Sequence, residues 1–230
     1  MSSCRILILT ALLIEARAIA RAFSLPSDFA TAVASKGDLT VAMVGPRAVK
    51  LNQVTCDIQP QAMIMAGLAG ALSSELAIGD IVAEGVISSD FRPPNGVRLY
   101  RGKLHTSEVL VATPREKRAL FAATGALAVD METHQIKAFA SNRNLPFLAL
   151  RSISDAACDE LNPALLKMVD QNGRPRLRNA AAYAAARPWK VAELLRIQRA
   201  SNSALSHLTA IIVALLASGW PENPTIRQSE

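Results

Sequence analysis

Three carboxylates in this 230-residue chain each follow an apolar run: Glu15 after Ile6–Ile14, Glu132 after Ala126–Val129 and Asp155 after Pro146–Leu150. Asp155 closes the cluster Arg151–Ser152–Ile153–Ser154–Asp155, where neighbouring Ser154 can orient it by a hydrogen bond. A carboxyl held protonated there can act as a general acid, a contribution on the order of 10² to 10⁴ in rate. Glu132, within Asp130–Met131–Glu132–Thr133, can accept hydrogen bonds from two vicinal hydroxyls, as on a ribose. Glu15 can activate a water or bind another hydroxyl. Taken singly, each acid reads better as a helix N-cap or a first-turn acid facing the macrodipole than as a site residue. Three of them at strand ends point instead to a site.

The elements that must position these acids are legible as patterns. Gln135–Asn142 reads as a helix between two short strands, Ala126–Val129 and Pro146–Leu150. Such a unit normally closes with parallel strands and a right-handed crossover. Ligands in such sheets bind beyond the carboxyl ends of the strands, so both acidic clusters are expected on one sheet edge. Arg5–Thr10, Leu39–Val44 and Ala62–Ala66 are further strand candidates, and Ile78–Val82 begins another that reaches Ser88. Helices are expected from Glu15 to about Phe23 and around Ala48–Asp57. Thr113–Pro114–Arg115–Glu116 has capping-box spacing with proline at the first helical position, opening a helix that stops at Gly125. Gly67–Leu68–Ala69–Gly70 directly follows the Ala62–Ala66 strand, either as a packing turn or as a close approach to a ligand. Arg92–Gly102 and Asn172–Asn179 read as polar loops. Pro188 opens a long helix in which Leu194, Ile197, Leu205, Leu208, Ile211 and Leu215 recur at helical spacing, with Arg187, Lys190, Arg196 and Arg199 near its start.

Half of the residues are hydrophobic and only 4% aromatic, a composition suited to a helix-covered parallel sheet. The expected organisation is a single domain over 1–220, mainly helical from 160 to 220, with a frayed tail at 221–230. Three widely spaced cysteines form neither a metal pattern nor a disulfide framework, which favours a reducing cytoplasm, and Cys158 reads as a small buried hydrophobe. His105, His134 and His207 are scattered, so no metal is expected, and His134 reads as a helix-surface residue. The net charge of +6 is concentrated late: from Lys167 onward there are nine Lys or Arg against four Asp or Glu. That excess suits a solvated helix face or an anionic membrane surface, and no aromatic-basic pattern supports nucleic acid. The apolar run Leu208–Ser218 is shorter than the roughly 20 residues of a spanning helix.

Val129–Thr133 (VDMET) followed by Leu145–Ala157 (LPFLALRSISDAA) resembles the nucleoside phosphorylase and methylthioadenosine nucleosidase superfamily. Thr10–Ala16 (TALLIEA), Gly67–Leu72 (GLAGAL) and Ile78–Val82 (IGDIV) match other segments of that family in the right order, over residues 5–160. Ala112–His134 and the long late helix resemble its hopanoid-associated branch, which acts on adenosylhopane. The resemblance implies an α/β fold, a three-layer αβα sandwich around a twisted, mixed, mostly parallel sheet. It implies cleavage of the N-glycosidic bond of a purine nucleoside, without cofactor, by water or with phosphate as co-substrate. Methylthioadenosine, adenosylhomocysteine and futalosine are alternative substrates, and a non-catalytic adenine-nucleoside binding protein is an alternative of another class.

By the same resemblance Asp155, supported by Ser154, matches the acid at N7 of the departing purine. Glu132 matches the ribose carboxylate, beside Met131 and Asp130. Glu15 matches the residue that positions the attacking water, and Arg151 the arginine that orients these acids. Val109, Leu110 and Val111 fall where the base-holding segment lies, and Gly67, Leu68 and Ala69 beside the substrate. Leu68 stands where relatives carry Ser or Thr, Met65 where classical phosphorylases carry a phosphate-binding arginine, and Leu110 where an aromatic is expected. With Glu15 these departures favour water, while Arg47 and Arg5 are candidate phosphate ligands. Expected partners are a small-molecule or lipid-linked nucleoside and a second copy in a homodimer. The expected location is the cytoplasm, with a transient contact at the inner membrane face.

Overall fold

The protein is described from a computed structural model that covers residues 2–29, 31–163, 169–170, 173–187 and 191–221. Among these residues nine strands form one mixed sheet, in the order β2-β3-β1-β4-β9-β5-β6, with β8 pairing both β4 and β7. The strands are β1 Ser2–Thr10, β2 Val33–Lys36, β3 Leu39–Met43, β4 Ile58–Ala71, β5 Ile81–Gly85, β6 Leu99–Arg101, β7 Leu104–Thr106, β8 Ala128–Asp130 and β9 Phe147–Asp155. The pairs β1/β3, β1/β4, β4/β9, β5/β6 and β7/β8 are parallel, while β2/β3, β4/β8 and β5/β9 are antiparallel.

Alternate side chains of the central strands build two cores. Ile6, Ile8, Ile64, Leu148 and Leu150 face one side, where α1 (Leu13–Ala22) contributes Ala16 and Ile19, and α6 (Val191–Ala217) contributes Leu205, Leu208, Ile211 and Leu215. Leu7, Leu9, Met63, Met65 and Ala149 face the other, against Leu51 of α2 (Leu51–Thr55) and Ile136, Phe139 and Ala140 of α4 (Thr133–Ser141). A strand buried on both faces carries apolar residues at every position, which is why β1 and β4 read as continuous runs rather than alternating ones. The expected α/β sandwich with a mixed, mostly parallel sheet is therefore the fold observed.

Several expected elements change. The strand predicted at Ala62–Ala66 runs on to Ala71, so Gly67–Leu68–Ala69–Gly70 lies inside β4 and is no turn. Strand β8 is antiparallel to β4, and β4 is parallel to β9, so the β8–α4–β9 unit is not the parallel closure expected. Strand β5 is shorter than expected and begins at Ile81. Part of the loop Arg92–Gly102 is strand β6, and β2 and β7 were not foreseen, because three- and four-residue edge strands carry too little pattern. In place of one helix over Ala48–Asp57 there is a 3-10 turn at Pro46–Ala48 and then the short α2. Residues 177–179 of the expected basic loop belong to helix α5 (Leu177–Ala186). Cys158 is exposed rather than a buried hydrophobe, and His134 lies on the surface. Pro188, Lys190, Asn172, Lys167 and the 222–230 tail lie outside the described residues, as does the side chain of Arg5.

Helix α3 (Pro114–Thr124) follows its sequence signals closely. Thr113 accepts the Glu116 N–H, Glu116 reaches back to the Thr113 N–H, and Gly125 closes the helix at φ 64 with its N–H on Phe121 O. The left-handed conformation there is open to glycine at no steric cost.

Helix α6 revises the reading of the late apolar run. Taken as a whole, Leu194–Ala217 is long and apolar enough to cross a membrane, with a mean hydropathy of 1.5. Its buried face, Leu205, Leu208, Ile211, Ile212 and Leu215, lies in the core against the sheet, while Leu195 and Val213 are exposed, so core packing accounts for part of its hydrophobicity. Replacing Leu208 with Ala should lower unfolding free energy by about 2 to 5 kcal/mol, the usual cost of a cavity at a buried leucine. Urea unfolding checks this, and a cost near zero would mean the helix is not part of the core.

Candidate active site

The centre of the site is Arg151, whose side chain is fully buried in the middle of β9. Its Nη2 lies 2.5 Å from Asp130 Oδ2 and 3.1 Å from Glu132 Oε2, and its Nε donates to Thr133 Oγ1 at 3.3 Å. Strand β8 delivers these partners, because its antiparallel run brings Asp130 back to the level of Arg151 before α4 begins. Arg151 pairs across the ladder with Gly67 of β4. A Cβ on Gly67 would collide with Arg151 Nη1 and lie 2.7 Å from Glu15 Oε1. Glycine is therefore required at 67 by close packing of two charged side chains over the strand. Gly70 plays the same part for Asp155, whose Oδ2 would be 2.9 Å from a Cβ there.

Glu15 sits in the first turn of α1 and is buried. Leu12 at the N-cap has no side-chain oxygen to offer, and Glu15 Oε2 reaches back to accept the N–H groups of Ala11 and Leu12 at 3.0 and 2.8 Å. Oε1 accepts the Leu68 N–H at 2.8 Å. Glu15 thus caps α1 and also lines the cavity described below. Burial pushes its carboxyl up from 4.5 to about 7, against the opposing charge of Arg151 and the Leu68 and Leu12 N–H groups. Burial also raises Glu132, which Arg151 counters and the neighbouring Asp130 charge reinforces. For Asp130 burial works in the same direction, but Arg151 and the hydroxyls of Thr133 and Thr106 outweigh it and hold it below the usual range. The three acids in turn keep the buried Arg151 charged despite its desolvation.

Asp155 ends β9 on the other wall. Ser154 Oγ donates to its Oδ1 at 2.9 Å, the orientation the sequence suggests. Its Oδ2 accepts the ammonium of Lys117 at 2.6 Å, a partner that the sequence did not point to. Lys117 was hidden in a run of surface-like charges, Arg115–Glu116–Lys117–Arg118. The only available signal was its place on the same helix face as Leu120 and Thr124, at spacings of three and four.

One cavity of about 410 Å³ joins these walls, a volume ordinary for a small-molecule site. Glu15, Leu68, Ala69, Leu110, Asp130, Met131, Glu132, Ser154 and Asp155 line it, together with Arg47. Gly67 and Arg151 lie beneath the lining. Val109 is 67% exposed, and it and Val111 line a separate surface depression beside α3. Asp130 is fully engaged by Arg151, Thr106 and Thr133, so it acts by holding Arg151. Glu132 Oε1 accepts the Arg47 N–H at 2.9 Å and Oε2 faces Arg151, leaving one lone pair on each oxygen for a hydroxyl. The Arg47 guanidinium stands at the cavity rim and donates to Glu108 O at 3.0 Å. Met65 is buried within β4 and offers no cation there. Among the described residues no group of three or more metal-type ligands gathers.

Residues 94–186 match a family model described as the phosphorylase superfamily, a span that holds Lys117, Glu132, Arg151 and Asp155 but not Glu15. No curated protein sequence matches the chain. Solved structures share its fold over nearly the whole length. The 5′-methylthioadenosine/S-adenosylhomocysteine nucleosidase of Helicobacter pylori matches with a TM-score of 0.63 at 15% identity, covering 95% of this chain and 100% of that one. The Neisseria meningitidis enzyme of the same name gives 0.64 at 12%, covering 95% and 100%. The futalosine hydrolase of Helicobacter pylori gives 0.63 at 15%, covering 94% and 98%.

The raised Glu15 has a consequence for stability. Between about pH 4.5 and 7 the native carboxyl holds a proton that the unfolded chain has lost, so its contribution to stability falls as pH rises through that window. Compared with Glu15→Gln, the wild type should lose on the order of 2 to 3 kcal/mol between pH 4.5 and 8. Urea unfolding of both proteins at the two pH values measures the difference. Parallel stabilities across that range would show that Glu15 does not titrate near 7.

Proposed function

We propose that this protein cleaves the N-glycosidic bond of a purine nucleoside, with water as the nucleophile. The observation that carries the reading is the division of one cavity between two walls, Glu15, Glu132 and the buried Arg151 on one and Asp155 with Ser154 on the other. Breaking this bond builds positive charge on the ribose and negative charge on the base. Carboxylates beside the sugar and a proton donor beside the base stabilise the two halves separately. In this reading Glu132 holds the ribose hydroxyls. Glu15, poised at about 7, takes the proton of the attacking water near neutral pH, where a general base is most effective. Asp155 gives its proton to the leaving base. Likeness to the nucleosidases and futalosine hydrolase named above supports the same assignment.

Within that class we favour a nucleoside with a long apolar 5′ substituent, of which adenosylhopane is the candidate. A second cavity of about 860 Å³, between α1 and α6, shares Leu12 and Val169 with the first; Leu13, Ile14, Leu194, Ile197 and Leu205 form its apolar wall, and Arg17, Arg21, Gln198 and Asn202 are among its polar lining. A lipid-like group could extend from one into the other. Methylthioadenosine or adenosylhomocysteine would occupy the first cavity alone.

The test is incubation of the purified protein with adenosylhopane and with methylthioadenosine, each with and without phosphate, and mass spectrometry of the products. Adenine and the free sugar should appear from adenosylhopane without phosphate. Asp155→Asn should fold normally and lose about 10² to 10⁴ in turnover. Turnover that requires phosphate would overturn the role of water, adenine from methylthioadenosine alone would overturn the lipid substrate, and an unimpaired Asp155→Asn would remove the acid.

A further inference from the structure

Lys117 is the buried residue of a helix whose other faces are exposed or half-buried. Lysines are almost never fully buried unless paired. Here the three ammonium protons meet three acceptors: Asp155 Oδ2 at 2.6 Å, Ala156 O at 2.8 Å and Asp159 O at 3.1 Å. All three belong to the end of β9 and the turn after it. A leucine would fill the same space between α3 and this turn, so packing alone does not account for the charge.

We propose that Lys117 is a positioning residue for the cleavage reaction, holding Asp155 by Oδ2 and supplying the positive charge that stabilises it as it gives up its proton. The proposal rests on Asp155 being the acid for the leaving base. With Oδ2 committed to Lys117 and pressed against Gly70, the proton that moves is on Oδ1. Ser154 Oγ, 2.9 Å from Oδ1, has a second acceptor in Ala69 O at 3.3 Å and can turn its hydroxyl there when Oδ1 is protonated. The glycosidic bond then breaks with its electron pair going to the base. The Oδ1 proton passes to a base nitrogen, and the carboxylate left behind faces the ammonium, which keeps its three protons throughout. Solvent restores the Asp155 proton after the base leaves.

Other charges near Asp155 are already engaged. Asp159 accepts the Ala156 N–H at 2.8 Å and pairs with Arg196 of α6 at 3.2 Å, and Glu116 on α3 is turned to its own helix cap. No charged side chain comes from the neighbouring stretch of β4, where Gly70 lies. Across the cavity stand Glu15, Asp130 and Glu132 around Arg151, with Asp170 on the lining. Among the described residues Lys117 is the cation in contact with Asp155.

The test compares kcat and KM of wild type, Lys117→Met and Lys117→Arg, using adenosylhopane, or methylthioadenosine if that is the substrate cleaved. Lys117→Met should lower kcat by about tenfold or more with KM little changed, because the acid is mispositioned and not the substrate. Lys117→Arg keeps the charge but cannot place three protons on the same acceptors, so kcat should fall less than in Lys117→Met, again with KM little changed. That variant alone decides the matter if the methionine protein does not fold: a kcat like that of the wild type would overturn the proposal. So would a Lys117→Met protein with an unchanged kcat, or one whose loss lies in KM alone. A wild type that releases no base from any nucleoside overturns the functional reading itself, whereas an inert Asp155→Asn beside an unaffected Lys117→Met overturns only the role of Lys117.

Discussion

A guanidinium buried in the middle of a central β-strand is the constraint on which the rest of this site depends. Arg151 has no solvent to stabilise its charge, and removing a partner from a buried ion pair typically costs about 3 to 5 kcal/mol. The surrounding structure meets that demand with Asp130 and Glu132 at 2.5 and 3.1 Å and with the nearby charge of Glu15. Each has a structural consequence. Strand β8 must run antiparallel so that Asp130 reaches the guanidinium, and β4 must carry glycine at 67 so that Arg151 and Glu15 can lie over it. The short turn after β1 must start α1 in such a way that Glu15 points back across the strand ends.

The two walls of the cavity are electrostatically distinct. On one, three acids share a single arginine, and burial raises both Glu132 and Glu15, the latter to about 7. On the other, one acid is held by one lysine and one serine. The proposed reaction, which separates positive charge on a sugar from negative charge on a base, calls for this kind of asymmetry. Such preorganised charge commonly contributes more to enzymatic rate enhancement than any other effect. Helix packing frames it: α1 and α6 cover one face of the sheet and α2 and α4 the other.

Much of this was legible in the residues. Doubly buried strands announce themselves as unbroken apolar runs, so β1, the middle of β4 and the start of β9 were evident. Helix α3 was readable from its capping box and terminal glycine, because those signals are local hydrogen-bond chemistry. Glu15, Glu132, Ser154 and Asp155 stood out for a related reason, since polar residues after apolar runs lie at sheet edges. The strands β2, β6 and β7 were not evident, for they form only where a neighbouring strand completes their hydrogen bonds. The continuation of β4 through Gly67–Gly70 was hidden as well, because glycine in isolation signals a turn and only the side chains lying over it explain a glycine in a strand.

The sequence by itself determined the fold class, the strand ends at which chemistry is possible and the identity of the acids there, because these follow from local pattern and residue type. Tertiary structure decided which charges meet. Lys117 lies in a run of four charged residues that looks solvated, and only the packing of α3 on the end of β9 turns it inward to Asp155. Asp130 looks like a substrate ligand beside Glu132, and only the antiparallel return of β8 makes it a partner of Arg151. Such pairings join residues 21 and 38 positions apart, and their geometry depends on strand direction and helix placement, which no short stretch of chain encodes.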